Sequence, residues 1–302
     1  MKISSFFKDT KPLGRLFALF LIFLACSLLA SLISVVPGFI KTAEEVDMAR
    51  LELVTTGFAQ MLVFMLPAWI FVRLFTDNPR QALGLYSERQ HWALGLVGVA
   101  VILLLIPVTD ALSLWNGRWQ FRPFEEAMRK VAAESQDQML WLLSPLTVGD
   151  LLLQVVVVAL VPAICEEVFF RGAVQLTLQS LLRNDHVGIL LTAVIFSLAH
   201  GDMYGFLPRL LLGLLLGYLF WMTGSIVVSA CAHFVNNAVV VVTCHFYNAG
   251  AFALNPFEPI GLPWTLTFGC TLGAIGLFYI YFVKNPHLTS RNPNYAPSRR
   301  EF

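Results

Sequence analysis

The sequence predicts an all-α polytopic membrane protein, on three observations. Of 302 residues, 57% are hydrophobic and 13% charged, with a mean hydropathy of +0.72. Soluble domains run near 45–50% apolar and about 25% charged, so an ordinary water-soluble domain is excluded. Second, eight apolar runs approach the roughly 20 residues that cross a bilayer as helix: 16–40, 53–75, 92–114, 146–169, 187–200, 207–223, 225–247 and 260–283. Third, the polar exceptions inside these runs collect in the middle four, which predicts a four-helix inner core within about eight transmembrane helices.

The first span follows Lys2, Lys8, Lys11 and Arg15, and residues 16–40 carry no charge. A secretory h-region is about 7–15 residues, so this longer run reads as a retained span. The second, third and last runs read as plain lipid-facing spans. Between the third and fourth lies the longest extramembrane segment, 116–147. Phe124, Met128, Val131 and Met139 recur there loosely at helical spacing, and Trp115, Trp119 and Trp141 suit a membrane interface. It reads as a surface-lying connector helix. The fifth run is short, with only 13 residues between His186 and His200, which predicts one polar end tucked inside the protein. Gly213 and Gly217 in the sixth run form a small-xxx-small pair of the kind used at helix contacts. The tail after 283 is polar and proline-containing and predicts disorder. Three blocks follow: 1–145 with three spans and the connector, 146–250 as the core, and 251–302 with the last span and tail.

Cys26, Cys165, Cys231, Cys244 and Cys270 all lie in apolar runs without CxxC spacing, and so read as small buried apolar residues. A net charge of +1 with no basic stripe argues against a nucleic-acid partner. Lys and Arg also set an orientation. Alternating the loops from a cytoplasmic N-terminus places 13 basic residues inside, Arg171 and Arg183 among them, and six outside. By the positive-inside rule both termini are then cytoplasmic.

Ionisable groups at membrane depth are costly and face a protein or water-lined interior. Here they are Glu166, Glu167, Arg171, His200 and His233, with Asn237 beside them. Glu167 and Arg171 are i and i+4, in the order that favours an ion pair, and read as a structural brace. Glu166 is turned about 100° away and reads as the free carboxylate. His233 and Asn237, also i and i+4, project together. A helical rise of about 1.5 Å places Glu166 roughly 27 Å before a turn at Asn184–Asp185, and His200 roughly 22 Å after it. His233 and Asn237 fall roughly 12 and 18 Å beyond the turn at Thr223–Ser225. Three helices could thus focus Glu166, His200, His233 and Asn237 on one cavity. A carboxylate beside a histidine can activate water, and a second histidine with an amide can donate to an oxyanion. That set suits peptide hydrolysis within the membrane.

At these residues the chain resembles the CAAX-protease and bacteriocin-processing (CPBP, or Abi) family of intramembrane proteases, which includes the Ras-converting prenyl-protein endopeptidase. The family pattern is EExxxR, FxxxH and HxxxN, present here as Glu166-Glu167 to Arg171, Phe196 to His200 and His233 to Asn237. The resemblance covers about 146–250. It implies Glu166 and His200 as water activators, His233 and Asn237 as oxyanion donors, and Glu167 and Arg171 in support. It leaves open whether a metal takes part. Glu166, His200 and His233 would form a zinc set, whereas the asparagine fits better as a donor, which favours the metal-free alternative. The implied partner is a peptide or protein substrate, lipidated or not, reached from the membrane or cytoplasm. The length and the eight-run layout suggest a bacterial plasma membrane as the location. Two alternatives stand beside it: a proton-coupled transporter, since Glu and His chains also relay protons, and a non-catalytic scaffold or immunity protein. The absence of matched broken helices counts against the first, and an uncompensated Glu166 counts against the second.

Overall fold

The computed structural model describes residues 10–39, 45–76, 78–85, 89–251 and 253–285. Lys2, Lys8 and nearly all of the polar tail lie outside them. The described residues form helices and no strands, as an all-α polytopic membrane fold requires. Helix α1 is Pro12–Ser34 and α2 runs over 45–75. Helices α3 (Arg89–Leu104) and α4 (Ile106–Asn116) are two halves of the third apolar run, bent by 46°. Then follow α5 (Glu125–Leu142), α6 (Val148–Leu182), α7 (Asp185–Leu198), α8 (Phe206–Thr223), α9 (Ile226–Asn248) and α10 (Trp264–Val283).

Each of the eight apolar runs contains a helix, but the count of full spans differs from eight. Six helices are long and apolar enough to cross a bilayer, and the bent α3–α4 pair makes a seventh. Helix α7 has 14 residues, about 21 Å at the helical rise, short of a hydrocarbon core of about 30 Å. Helix α6 departs the other way. It continues past the expected end at 169 for a total of 35 residues, so Arg171 sits inside a helix and does not belong among the loop charges.

Prolines shape two of the helices around the core. Both α2 and α6 contain a widened π turn, Met61–Met65 and Val155–Leu160, ending two residues before Pro67 and Pro162. Proline has no amide hydrogen and its ring collides with the carbonyl four residues back, so the preceding turn opens to i→i+5 bonding, as Leu66 to Met61 and Val161 to Val156 show. Helix α6 has a second π turn at Phe170–Gln175. It ends at Arg183, whose φ of 52° reverses the chain, and Asn184 caps α7 through the amides of His186 and Val187.

Helix α9 packs against α3, α6 and α8, while α2 packs on α1 and α6. Glycine lets α8 approach α7, since a Cβ on Gly213 would stand 3.1 Å from Ala193 Cβ and 3.2 Å from the Phe196 ring. Gly224, at φ 65°, ends α8 and lies against Gly84, whose carbonyl accepts from Ile226 N at 3.3 Å. That contact sets where α9 starts. At the opposite end Arg50 of α2 grips Asp150 of α6 with two bonds, 2.8 and 3.0 Å. Asp150 in turn completes a capping box with Thr147. Buried Gln154 joins the start of α6 to Pro145 O at 2.9 Å and to His245 of α9 at 3.3 Å.

The connector is helical over Glu125–Leu142, as the spacing predicts, and its N-terminal side is clamped onto Tyr204. Glu125 accepts from Phe121 N at 2.7 Å, from Tyr204 Oη at 2.8 Å and from Arg129 Nε at 2.8 Å. Arg129 lies over the Tyr204 ring at 4.8 Å and Phe121 meets that ring edge-on at 5.3 Å. The Phe121 amide first, then the Tyr204 hydroxyl and Arg129, holds the Glu125 carboxyl below the usual carboxylate range. A depressed folded pKa contributes stability above the unfolded value of about 4.3 that is lost as pH falls through the folded value. Acidification below about pH 4 should therefore release the 118–129 segment from Tyr204. Hydrogen exchange of the Phe121 and Tyr204 amides should rise there before the membrane helices open, and Glu125→Gln should remove the pH dependence.

Candidate active site

Helix α6 places Glu166 and Glu167 side by side, and the roughly 100° between consecutive helical residues sends them to different partners. Glu167 is fully buried and uses both oxygens: Oε2 accepts from Arg171 Nε at 3.0 Å and Oε1 meets His233 Nδ1 at 3.2 Å. Glu166, 5% exposed, accepts at Oε1 from Gln60 Nε2 at 3.4 Å. Its Oε2 has no hydrogen-bond partner among the described residues and stands 3.9 Å from His233 Nε2.

A ring nitrogen facing a carboxylate carries the proton, so His233 Nδ1 donates to Glu167. Its Nε2 is thereby aimed at Glu166. The arrangement makes Glu167 the shared support of a cation on its own helix and a histidine on α9. Arg171 is also fully buried, and its guanidinium lies 5.3 Å over the Phe196 ring. The Phe196 ring is 5.7 Å from His233 and 5.0 Å from His200, edge-on to both. Phe170 closes the other side of Phe196 at 5.2 Å.

His200 lies just past the end of α7, on an exposed turn. Its Nδ1 donates to Phe196 O at 2.9 Å, which leaves Nε2 as the acceptor of a neutral ring. Three polar side chains fix the turn. Ser197 Oγ donates to Phe206 O at 2.7 Å. Asn116, fully buried at the end of α4, donates to Met203 O at 3.0 Å and accepts from Leu207 N at 2.7 Å. Asp202 caps the Tyr204 amide at 2.9 Å and pairs with Arg209. Asn237 is half-buried one turn beyond His233. Its Oδ1 accepts from Asn236 at 3.2 Å, and none of its described contacts is with Glu166 or His200.

Glu166, Glu167, Arg171 and His233 thus converge, His200 joins them through Phe196, and Asn237 lies one turn from His233 on α9, its described side-chain hydrogen bond going to Asn236. Gln60, Asn116 and Ser197 were not among the residues expected from sequence. The signal for Gln60 was present: a lone amide in an otherwise apolar run costs free energy unless it is bonded. Among the described residues, no three His, Cys, Asp or Glu side chains are grouped closely enough to hold one metal ion. Nδ1 of His200 and of His233 is held by the protein while Nε2 is left open, so the histidines themselves are compatible with ligation, but Glu166, His200 and His233 are not gathered around one point in this arrangement.

Removing one member of the buried pair strands the other in an apolar interior. Arg171→Met or Glu167→Gln alone should cost about 3–5 kcal/mol of stability. Replacing both together should cost less than the sum of the two. Thermal unfolding of the purified protein in detergent, over the four combinations, measures this.

Residues 148–239 match the family model described as type II CAAX prenyl endopeptidase Rce1-like. No curated protein and no solved structure matches the chain. The matched stretch begins with α6 and ends in α9, and so holds both glutamates, Arg171, both histidines and Asn237. With its long apolar helices, this chain is an integral multi-pass membrane protein whose residues 148–239 are similar to the Rce1-like type II CAAX prenyl endopeptidases, a match that supports endopeptidase activity of that general type.

Proposed function

We propose that this protein is an intramembrane endopeptidase that hydrolyses a peptide bond of a membrane-associated protein or peptide with water activated by Glu166 and His200. The observation that carries the proposal is the Glu166 carboxylate, buried, bonded at one oxygen, with the other oxygen unpartnered and facing His233 Nε2 at 3.9 Å. That separation exceeds a direct hydrogen bond and suits two groups acting through a third polar atom. The described hydrogen bond of Arg171 goes to Glu167 and not to Glu166, which leaves the Glu166 oxygen free to take a proton.

In this reading Glu166 takes a proton from water as the oxygen attacks the carbonyl carbon, and returns it to the leaving nitrogen as the C–N bond breaks. His200, with Nδ1 donated to Phe196, offers Nε2 as the acceptor that orients the same water. The oxyanion is met by His233 Nε2 and the Asn237 amide, fixed donors in a site largely closed to solvent. For His233 to donate there while Nδ1 serves Glu167, both ring nitrogens must carry protons. The exposed His200 turn and the half-buried Asn237 mark the open side, and peptide enters from the membrane or cytoplasm there. Cytoplasmic termini and a bacterial plasma membrane belong to this reading, and Arg171, inside α6, is not part of the loop charge that favours that orientation. A lipidated or a plain peptide fits equally.

The test compares wild type with Glu166→Gln by quantitative proteomics of membrane peptides. General-base catalysis contributes about 10²–10⁴-fold, so the variant should lose at least that much cleavage while its thermal unfolding stays unchanged. Normal cleavage by a folded variant would sink the assignment. Cleavage by wild type should also survive a strong chelator, because no step is routed through a metal. Loss of activity restored by stoichiometric zinc would replace this mechanism.

A further inference from the structure

We infer that Gln60 is a positioning residue for Glu166, holding one carboxylate oxygen so that the other is presented to the reaction. This rests on the assignment of Glu166 as the base. Gln60 lies 106 residues away in sequence, on α2 and outside the family-matched stretch of 148–239. The site is therefore completed by a helix from the N-terminal part of the chain.

The placement is built from both sides. One turn before Gln60, Gly57 lets α2 sit against the π turn of α6, where a Cβ would stand 3.0 Å from Val157 Cγ1. One turn after it, the Phe64 ring packs on Phe169 at 5.5 Å and on Phe170 at 5.6 Å. These are α6 contacts on either side of Glu166 in sequence, so they set the depth at which the amide meets the carboxylate. Gln60 is also the last residue before the π turn at Met61–Met65. Such turns re-aim the side chains beside them.

The chemistry requires such a group. The terminal torsion of a glutamate is broad and roughly two-fold, and a carboxylate 5% exposed has little solvent to order it. A single donor on Oε1 fixes the carboxylate plane and leaves Oε2 toward His233. A neutral amide does this without supplying a counter-charge. A lysine or arginine at position 60 would pair with Glu166 and quench the base, as Arg171 already does to Glu167.

The test uses full-length protein in lipid nanodiscs, with Gln60→Met, which keeps length and apolar packing but has no donor, and Gln60→Leu as a second variant should the first fold poorly. Infrared difference spectra of protein labelled with carbon-13 glutamate would give the Glu166 carboxyl band, assigned by its loss in Glu166→Gln. The band should shift in either Gln60 variant. In the cleavage assay kcat should fall about tenfold to a hundredfold, the worth of one hydrogen bond to a charged group, with KM and thermal stability unchanged. An unmoved Glu166 band would overturn the inference, as would a shared loss of kcat, KM and stability. The band is read without substrate. Normal cleavage by Glu166→Gln would therefore remove the mechanistic reading but not the Gln60–Glu166 contact, whereas an unmoved band beside a dead Glu166→Gln would remove the Gln60 role alone.

Discussion

Arg171 has no exposed surface, and its position inside a membrane helix leaves it nothing to bind but the protein. The cost of such a cation is partly offset by Glu167 one turn earlier and by the face of Phe196, while Nη1 and Nη2 have no hydrogen-bond partner among the described residues. A buried pair of this kind is weak as a source of stability, because desolvation takes back most of the Coulombic attraction. Its effect is on geometry. Glu167 has two oxygens, and once Arg171 holds one the other is fixed in direction and meets His233. Phe196, pinned under the guanidinium, carries His200 on its own backbone carbonyl. One ion pair therefore orients groups on α6, α7 and α9, and the site would lose its definition without it.

The helices that deliver these groups are not regular, and their irregularity has a chemical origin. Pro67 and Pro162 each follow a π turn, because an amide missing from the ladder and a ring pressing on the preceding carbonyl are accommodated by widening the turn. The turns occur on the two helices that bring Gln60 and Glu166 together. Arg50 and Asp150 clamp the same two helices at their far ends. The ends of the helices are thus tied by charge and the middle by close packing at Gly57. The amide–carboxylate contact is then a consequence of the frame.

Much of the site was readable from sequence because its cost was local. A charge in an apolar run is visible in a window of a few residues, the i, i+4 spacings of Glu167–Arg171 and His233–Asn237 need only helical periodicity, and the depth of Glu166 and His200 needs only the helical rise. The parts that were not readable depend on distant pairing. Gln60 looks like one tolerated amide until α2 is laid against α6. Asn116 looks like the start of a loop until α4 is folded over the His200 turn. The span count differs for a related reason. Hydropathy marks the apolar stretch and not the helix, so the fourth run ends at 169 in the sequence and Arg171 is counted with the loop charges although α6 continues to Leu182, while the fifth run, read as short with one end tucked inside, is a helix of 14 residues.

The position of His200 shows why these distant contacts matter. A residue just past a helix end and open to its surroundings would ordinarily sample many orientations, and a base that wanders contributes little. Here its ring is edge-on to Phe196 and bonded to the Phe196 carbonyl, so the side chain is set by a residue that the buried ion pair holds. The backbone around it is held independently, by Ser197 from within and by Asn116 from α4. The segment that follows α4 then binds Tyr204 through Glu125. A chain of contacts thus runs from the extramembrane connector through Tyr204 and the His200 turn to Phe196, Arg171 and Glu167. Exposure of the outer face and rigidity on the protein side are compatible at His200 because the two are supplied by different elements.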